Sequence, residues 1–424
     1  AVLNGQPSIY IFYWPPAMEG LPDRPIGFFL LFILVVFAIH QLMKRQKLMQ
    51  GGPLLIPYLF FLLCVVWGVV HGLSSGGNLK ILVNEVRSFW YLFLGYVLAF
   101  NIFRSKVQVR TVFWFIIVCA GIKALEGTYI YFFILHSDLS GNREIMSHEE
   151  SFFWTTVLLL IVIFSLHSRY KPQLFTALAL TPFIGISLIA NNRRAGFVAL
   201  IIGILVAWLL VFLASPQKRR LLLFILISCS LLGGGYIAAF SQSDNAFGAP
   251  ARSVVSVFRP DPQDISSNVY RDIENFDLEY TVKQNPLGLG FGKPFLQPQL
   301  LPDISSLDPV YLYIPHNTIY WIWMRLGAPG YLALWFLFGS VVVRGCIITR
   351  QLKDKTLQLM AIYIVAVTVM EVIVAYADYQ LSFYRNVLYI GMLTGILMKL
   401  PIIDAKEEKQ ADESARAHVK SSYS

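Results

Sequence analysis

Apolar residues along the 424-residue chain fall into long blocks separated by short polar stretches. Blocks of about 18 to 25 apolar residues have the length of a helix that crosses a hydrocarbon core of about 30 Å. The pattern therefore predicts an all-α fold, a polytopic bundle of transmembrane helices with 11 to 12 spans, the twelfth ending in "SIYIFYW" at 8–14. The eleven complete blocks lie near 25–42, 53–72, 83–103, 109–126, 150–168, 172–190, 195–214, 220–240, 318–343, 356–377 and 380–400.

Composition supports the membrane assignment. Hydrophobic residues make up 56% of the chain and charged residues only 14%, whereas soluble domains carry about 25% charged residues. The four cysteines lie one by one inside apolar blocks, which gives neither a disulfide framework nor a metal site. Lys and Arg (34) exceed Asp and Glu (25), and the excess is better explained by positive charge on cytoplasmic loops than by nucleic-acid binding.

The basic residues also predict the orientation of the bundle. They cluster in alternate connections between spans, and such connections are cytoplasmic. We therefore expect an inner-membrane protein with four regions along the chain. These are about eight N-terminal spans in 1–240, a large periplasmic loop in 241–317, C-terminal spans in 318–401 and a disordered cytoplasmic tail in 402–424.

The long outer loop contains a predicted amphipathic helix. Val269, Ile273, Phe276 and Tyr280 recur at spacings of four, three and four, which marks one apolar face suited to packing on the membrane domain or lying at the membrane interface. The glycines of "GLGFG" at 288–292 do not follow a strand, so a nucleotide-binding loop is rejected. We expect them to let the backbone turn tightly as it re-enters the membrane domain.

Three arginines on the predicted outer side are candidate anion ligands. Arg193 and Arg194 lie in a connection predicted to be periplasmic, although basic residues are expected in the cytoplasmic connections. Arg271 lies away from the apolar face of the amphipathic helix. A guanidinium binds phosphate bidentately and stays charged at any relevant pH. The alternatives are that Arg193 and Arg194 snorkel to lipid phosphates and that Arg271 pairs with Glu274 at i,i+3.

A histidine precedes the first C-terminal span. Asn317 is a good N-cap for a helix beginning near Thr318, which leaves His316 just outside the helix, where it is a candidate general base. Arg385 and Asp378 add an ionisable pair at the same level. The outer loops hold no residues at metal-ligand spacing, so we expect neither metal nor cofactor. The carboxylates Glu144, Glu149 and Glu150 belong to one outer loop and are expected to be solvated.

The segments "NRRAGFVAL", "NPLGLGFG" and "HNTIYWIWMRLGAPG" resemble the O-antigen ligase and O-unit polymerase family of bacterial membrane glycosyltransferases, over roughly 180–335. The resemblance implies a C-type glycosyltransferase architecture with a periplasmic active site. It assigns catalytic roles to Arg194, Arg271 and His316. We then expect substrate-binding roles for Arg193, Asn317 and Arg385. In the family, a serine usually precedes the first arginine, whereas Arg193 stands at that position here. This difference leaves open whether Arg193 or Arg194 is the essential arginine.

The implied reaction is metal-independent, inverting transfer of a glycan from undecaprenyl diphosphate to lipid A-core oligosaccharide. An O-antigen or exopolysaccharide polymerase would use the same donor with a carrier-linked glycan as acceptor, and the residues do not separate the two. A transporter of the lipid-linked glycan is a third alternative. Transporter sites lie near the middle of the membrane, whereas the charges here gather at its predicted outer edge.

Overall fold

The structure, a computed structural model, describes residues 2–3, 6–7, 25–45, 47–137, 145–165, 171–191, 193–243, 248–256, 259, 262–301 and 312–422. Two short strands, β1 (Val2–Leu3) and β2 (Gln6–Pro7), pair antiparallel, and the other elements are helical. The helices are α1 (Pro25–Met43), α2 (Leu55–Ser74), α3 (Leu79–Ile102), α4 (Lys106–Tyr129), α5 (His148–Ser165), α6 (Lys171–Ala190), α7 (Arg194–Ala214), α8 (Arg219–Phe240), α9 (Ala249–Val255), α10 (Pro262–Gln284), α11 (Thr318–Gln351), α12 (Lys355–Ala377) and α13 (Tyr384–Ser422).

Eleven of the described helices are long and apolar enough to cross a membrane, which confirms the predicted polytopic helical bundle. They are α1 to α8 and α11 to α13, with α4 continuing through a π-helical turn to Ile134. Helices α1 and α8 have the most exposed apolar surface, as expected of helices that face lipid. The stretch at 8–14 proposed as a twelfth span lies outside the described residues.

Close contact between α3 and α13 forms the centre of the bundle. A Cβ on Gly391 would lie 2.2 Å from the carbonyl oxygen of Leu92, and one on Gly395 would lie 2.4 Å from that of Tyr96. Helices in lipid associate through such small residues because lipid tails give apolar side chains no advantage at a helix interface. These glycines therefore set the close approach of the two helices.

The predicted amphipathic helix forms as α10, and its apolar row faces outward. Val269, Phe276 and Tyr280 are 49%, 47% and 39% exposed, whereas Glu274 and Leu278 on the opposite face are buried. Three of the four residues of the row therefore do not pack on the bundle, and Ile273 is half-buried. A position at the membrane interface stays a prediction. The face that meets the bundle is more polar because it carries the hydrogen-bonding groups described below.

The C-terminal segment predicted to be disordered lies within helix α13 for most of its length. Helix α13 continues past Pro401 to Ser422. Residues 402–424 are rich in Ala, Glu, Lys, Gln and Arg, which have high helix propensity. Lys409 and Glu413 also form an i,i+4 ion pair with an N–O distance of 3.9 Å. Local propensity favours the helical conformation here, and Ile403 also packs in the core of the bundle.

Candidate active site

The bundle-facing side of α10 brings three of the predicted residues together. Asn268, Arg271 and Glu274 follow one another at i,i+3 spacing and therefore share one face of the helix. Arg194 at the start of α7 donates from Nη2 to Asn268 Oδ1 at 3.3 Å. His316, just before α11, contacts Glu274. Arg194, Arg271 and His316 thus lie in succession along this one face.

Glu274 orients the imidazole of His316. Its carboxylate accepts the backbone N–H of His316 at 3.0 Å and lies 3.2 Å from Nδ1 through both oxygens. A carboxylate can only accept a hydrogen bond, so Nδ1 carries the proton and Nε2 has the basic lone pair. Glu274 is 2% exposed, so its charge is little screened by water. A buried carboxylate behind an imidazole is the arrangement that fixes the tautomer of a general base.

Two tyrosines hold the His316 ring from the sides. Tyr270 on α10 and Tyr379 between α12 and α13 each pack edge-to-face with it at a centroid distance of 5.7 Å. The same Tyr379 ring lies 5.2 Å from the ring of His148 at the start of α5. Tyr379 therefore connects His316 to a second group of polar residues.

That second group consists of Arg193, His148 and Asp378. A guanidinium can only donate, so Arg193 Nη2 donates to His148 Nε2. The proton of His148 is therefore on Nδ1, and this nitrogen lies 2.6 Å from Asp378 Oδ2. Burial alone would raise the pKa of Asp378, but His148, Arg193 and His316 outweigh it and hold that pKa well below its usual value. Arg193 and the two histidines thus all face one buried carboxylate.

Asn317 is the predicted N-cap. Its side-chain oxygen accepts the backbone N–H of Tyr320 at 3.1 Å, and its Nδ2 donates to Asn275 Oδ1 on α10 at 3.1 Å. It is 2% exposed. Asn317 therefore fixes where α11 begins and ties that end to α10, which holds His316 in place.

Arg271 does not form the local pair with Glu274 that a surface helix favours. Glu274 contacts His316 instead, and no hydrogen bond or ion pair of Arg271 is found in the part of the chain that the structure describes. The residue is half-buried on α10. Arg271 thus lies on α10 between Asn268 and Glu274, the partners of Arg194 and His316, and pairs with no carboxylate among the described residues.

Arg385 has different partners from those expected. It lies in the first turn of α13 and forms ion pairs with Glu150, at 2.7 Å, and with Glu149. Both glutamates are buried in the first turn of α5, so the expectation that they are solvated is wrong. Asp378 bonds His148 and not Arg385. Glu144 lies outside the described residues.

The "GLGFG" segment makes the tight turns that were predicted. Gly288, Gly290 and Gly292 have φ angles of 95°, 81° and 79°, a region that favours glycine. A Cβ on Gly290 would lie 2.5 Å from the backbone nitrogen of Gly72 in α2. The segment therefore enters the bundle with its backbone against a transmembrane helix.

A buried ion pair anchors this segment. Arg325 on α11 lies 2.7 Å from Glu85 on α3, and both side chains are fully buried. Arg325 also donates to the carbonyl oxygens of Gly290 and Lys293, and Glu85 accepts the N–H of Gly292 at 2.6 Å. The pair joins α3, α11 and the glycine-rich segment just below the candidate site.

Among the residues that the structure describes, no group of three or more His, Cys, Asp or Glu side chains is arranged to hold a metal ion. The arginines of this region are Arg193 and Arg194 at the start of α7 and Arg271 on α10. The sequence interpretation missed His148 and Glu274. His148 stands next to two glutamates before a span, and Glu274 lies three residues after Arg271, so each could be found only as part of a charged cluster.

Comparison with known protein families identifies the central part of the chain. Residues 175–336 match the family model described as O-antigen ligase. The chain carries an O-antigen ligase family domain. No curated protein matches it. The domain spans α7, α10 and the start of α11, and so contains Arg193, Arg194, Arg271, His316 and Asn317. His148 and Asp378 lie outside the matched segment and meet it only in the fold, through Arg193 and Thr318. Arg385 also lies outside it and contacts α5.

This match confirms the family that the sequence motifs indicated. It supports an enzyme of the ligase and polymerase type, a glycosyltransferase embedded in the membrane and belonging to lipopolysaccharide biosynthesis. The ligase domain covers the arginine at the start of α7, the glycine-rich segment and the histidine before α11. These are the three features by which the sequence was related to the family.

Proposed function

We propose that the chain transfers a glycan from undecaprenyl diphosphate to lipid A-core oligosaccharide, on the periplasmic face of the bacterial inner membrane. The observation that carries the proposal is the alignment of Arg194, Arg271 and His316 along one face of α10. Two guanidinium groups and an oriented imidazole are the groups needed to stabilise a departing diphosphate and to activate a hydroxyl.

Arg194 and Arg271 are proposed to bind the diphosphate. The leaving group gains negative charge as its bond to the sugar breaks, and fixed cations stabilise that charge in the transition state. Arg194 is also the first residue of α7, so the positive end of the helix dipole adds to its charge. In this proposal guanidinium groups supply the positive charge, and a divalent ion is not required.

His316 is proposed as the general base. Its Nε2 takes the proton of the acceptor hydroxyl while the oxygen attacks the anomeric carbon. The bond between that carbon and the diphosphate oxygen breaks on the opposite side, and undecaprenyl diphosphate leaves with the bonding electron pair. The product is inverted at the anomeric carbon. Glu274 stabilises the imidazolium that forms, as the carboxylate of a catalytic triad does.

Arg193 is proposed to act with His148 and Asp378 as a positioning unit. Its Nη2 is bonded to His148, which in turn is bonded to Asp378. This unit joins the starts of α5 and α7 to the end of α12, so it holds Arg194 in place relative to His316. Arg385 is proposed to support the same region, because its ion pairs with Glu149 and Glu150 join α13 to α5.

The outward row of α10 supports an acceptor that is itself anchored in the membrane. Val269, Phe276 and Tyr280 form an exposed apolar face opposite the face with the site. A helix with such a face lies in the plane of the membrane interface. A lipid A-type acceptor lying in the same plane could therefore present its core hydroxyl directly to the site.

A transfer assay with two acceptors tests the proposal. Purified full-length protein is incubated in EDTA with a carrier-linked, labelled glycan and with lipid A-core, and in parallel with the carrier-linked glycan alone. We expect one-step transfer of label onto lipid A-core, which H316A abolishes. A growing ladder on the carrier would show a polymerase instead. Movement of the intact labelled carrier across a membrane without transfer would show a transporter, and a strict requirement for Mg²⁺ or Mn²⁺ would overturn the role given to the arginines.

A further inference from the structure

A basic cavity lies at the other end of the bundle, away from the candidate site. It has a volume of about 440 Å³ and is lined by residues from α1, α3, α13 and two connections between helices. The lining residues are Gln41, Lys47, Gln50, Asn101, Arg104, Lys399, Ile402, Ile403 and Lys406. Four of the nine are Lys or Arg and none is Asp or Glu, so the cavity is strongly positive.

The distribution of charge around α13 shows that this set is more than a general excess of basic residues. Lys399, Ile402, Ile403 and Lys406 follow the i, i+3, i+4, i+7 pattern of one helix face, and this face lines the cavity. The acidic residues of the same stretch point elsewhere. Asp404 accepts the backbone N–H groups of residues 353 and 354, and Glu407 accepts that of residue 106.

The walls of the cavity are held in place by hydrogen bonds. Asn101 exchanges two hydrogen bonds with the backbone of Gln50, at 2.9 and 3.0 Å, and Gln41 donates to the carbonyl oxygen of Lys47 at 3.0 Å. Lys399 lies over the ring of Phe100 at 4.8 Å. The connection between α1 and α2 is thus fixed against α3, and the cavity is a formed site rather than a gap between loosely packed helices.

A buried polar atom in the wall indicates a ligand. Gln41 is 7% exposed, and its side-chain oxygen has no hydrogen-bond donor among the described residues. An unsatisfied buried acceptor is costly. A ligand with a hydroxyl group next to its anionic group would satisfy Gln41 and the surrounding cations at once. The cavity also has an apolar wall, which includes Ile402, and this side chain is 51% exposed.

We infer that this cavity binds a phosphate ester with an adjacent hydroxyl group, such as the headgroup of a glycerol phospholipid. Basic pockets between transmembrane helices on the cytoplasmic side are suited to anionic headgroups. A soluble glycerol phosphate has the same chemistry, and the experiment separates the two sources. The site is distinct from the candidate active site, so its occupancy and glycan transfer can be measured independently.

Native mass spectrometry of the full-length protein in neutral detergent tests the inference. Phosphatidylglycerol is titrated against phosphatidylcholine, with glycerol 3-phosphate as the soluble competitor. We expect the protein to prefer phosphatidylglycerol. Removing one cation from the cavity should weaken binding about five-fold, so R104Q/K399Q should bind about 25-fold more weakly.

The matched control is K44Q/R45Q. It removes two charges from the same end of the bundle, but neither residue lines the cavity, and it should bind phosphatidylglycerol as the unmodified chain does. Displacement by glycerol 3-phosphate at equal concentration would identify the soluble ester as the ligand. Equal binding of the two lipids, or equal loss in both double variants, would overturn the inference. Thermal melting of each variant establishes that it is folded.

Discussion

Glu274 and His316 are joined twice, once through the backbone N–H of His316 and once through its imidazole Nδ1, at 3.0 and 3.2 Å. The carboxylate is buried on α10 and the histidine directly precedes α11. The contact thus joins the outer-loop helix to the membrane bundle at the residue proposed as the general base. Orientation of His316 and docking of α10 are therefore coupled.

The first prediction concerns Glu274→Gln. A glutamine can donate to Nδ1, which would move the imidazole proton to Nε2 and remove the basic lone pair from the acceptor hydroxyl. We expect the transfer rate to fall by about 10²–10⁴, with little change in the binding of the donor. Single-turnover transfer of the labelled glycan measures the rate. The matched control is E279Q on the same helix, which should keep full activity. This glutamate is exposed, and among the described residues its ion-pair partner is Lys283.

Arg271 is predicted to stabilise the transition state. Arg271→Gln removes a guanidinium that has no carboxylate partner in the described structure, so folding should be unaffected. We expect the rate to fall by about 10²–10³, as for loss of one stabilising donor. Arg271→Lys should retain part of the activity because it keeps the charge and loses the bidentate geometry. K283Q, on the same helix, is the control. If R271Q has the same kinetics as K283Q and the unmodified protein, Arg271 is not part of the active site.

The adjacent arginines are predicted to differ. Arg194 reaches α10 through Asn268, whereas Arg193 bonds His148. Arg194→Gln should therefore lower the rate by about 10²–10³. Arg193→Ser introduces the serine that the family resemblance leads us to expect at this position, and it should lower the rate by less than about tenfold, mainly through positioning. The same single-turnover assay compares them, and a larger loss in R193S than in R194Q would reverse the assignment.

Asp378 is predicted to make stability depend on pH. Its pKa is held below the usual value by His148, Arg193 and His316, which outweigh the opposing effect of burial. The stabilisation is therefore complete above the unfolded pKa of about 3.9 and is lost as the pH falls through the lower folded value. Asp378→Asn should lower the melting temperature at pH 7, and the difference from the unmodified protein should shrink below about pH 4. A constant difference from pH 7 to pH 3 would contradict the assignment.

Much of the fold was predictable because the membrane imposes one length on every span. Eleven apolar blocks became eleven long apolar helices, and the N-cap role of Asn317 followed from its position before an apolar run. Arg194, Arg271 and His316 were proposed because each places an ionisable group at the end of a helix or on its polar face, and their roles stay predictions. These signals are local in the sequence.

The partners of these residues were not predictable because they depend on tertiary geometry. Glu274 was considered only as an alternative partner of Arg271, three positions away, but in the fold it contacts His316, which is 42 residues away. Glu149 and Glu150 followed a polar loop and were expected to be solvated, yet Arg385, more than 230 residues later, pairs with both. Local periodicity identified α10 but could not tell which of its faces meets the bundle.

The last prediction concerns the buried pair of Arg325 and Glu85, which supports the site without touching it. Arg325→Met leaves the Glu85 carboxylate buried and leaves three backbone carbonyl groups without their donor. Breaking one side of a buried ion pair costs about 3–5 kcal/mol, so R325M should unfold at a clearly lower temperature. Arg350→Met, at the exposed end of the same helix, should melt like the unmodified chain. R325M/E85L should recover only part of the loss, because the carbonyl groups of Gly290, Lys293 and Tyr313 still lack a donor. Full recovery in the double variant would show that the charge pair alone, and not the anchoring of the glycine-rich segment, accounts for the stability.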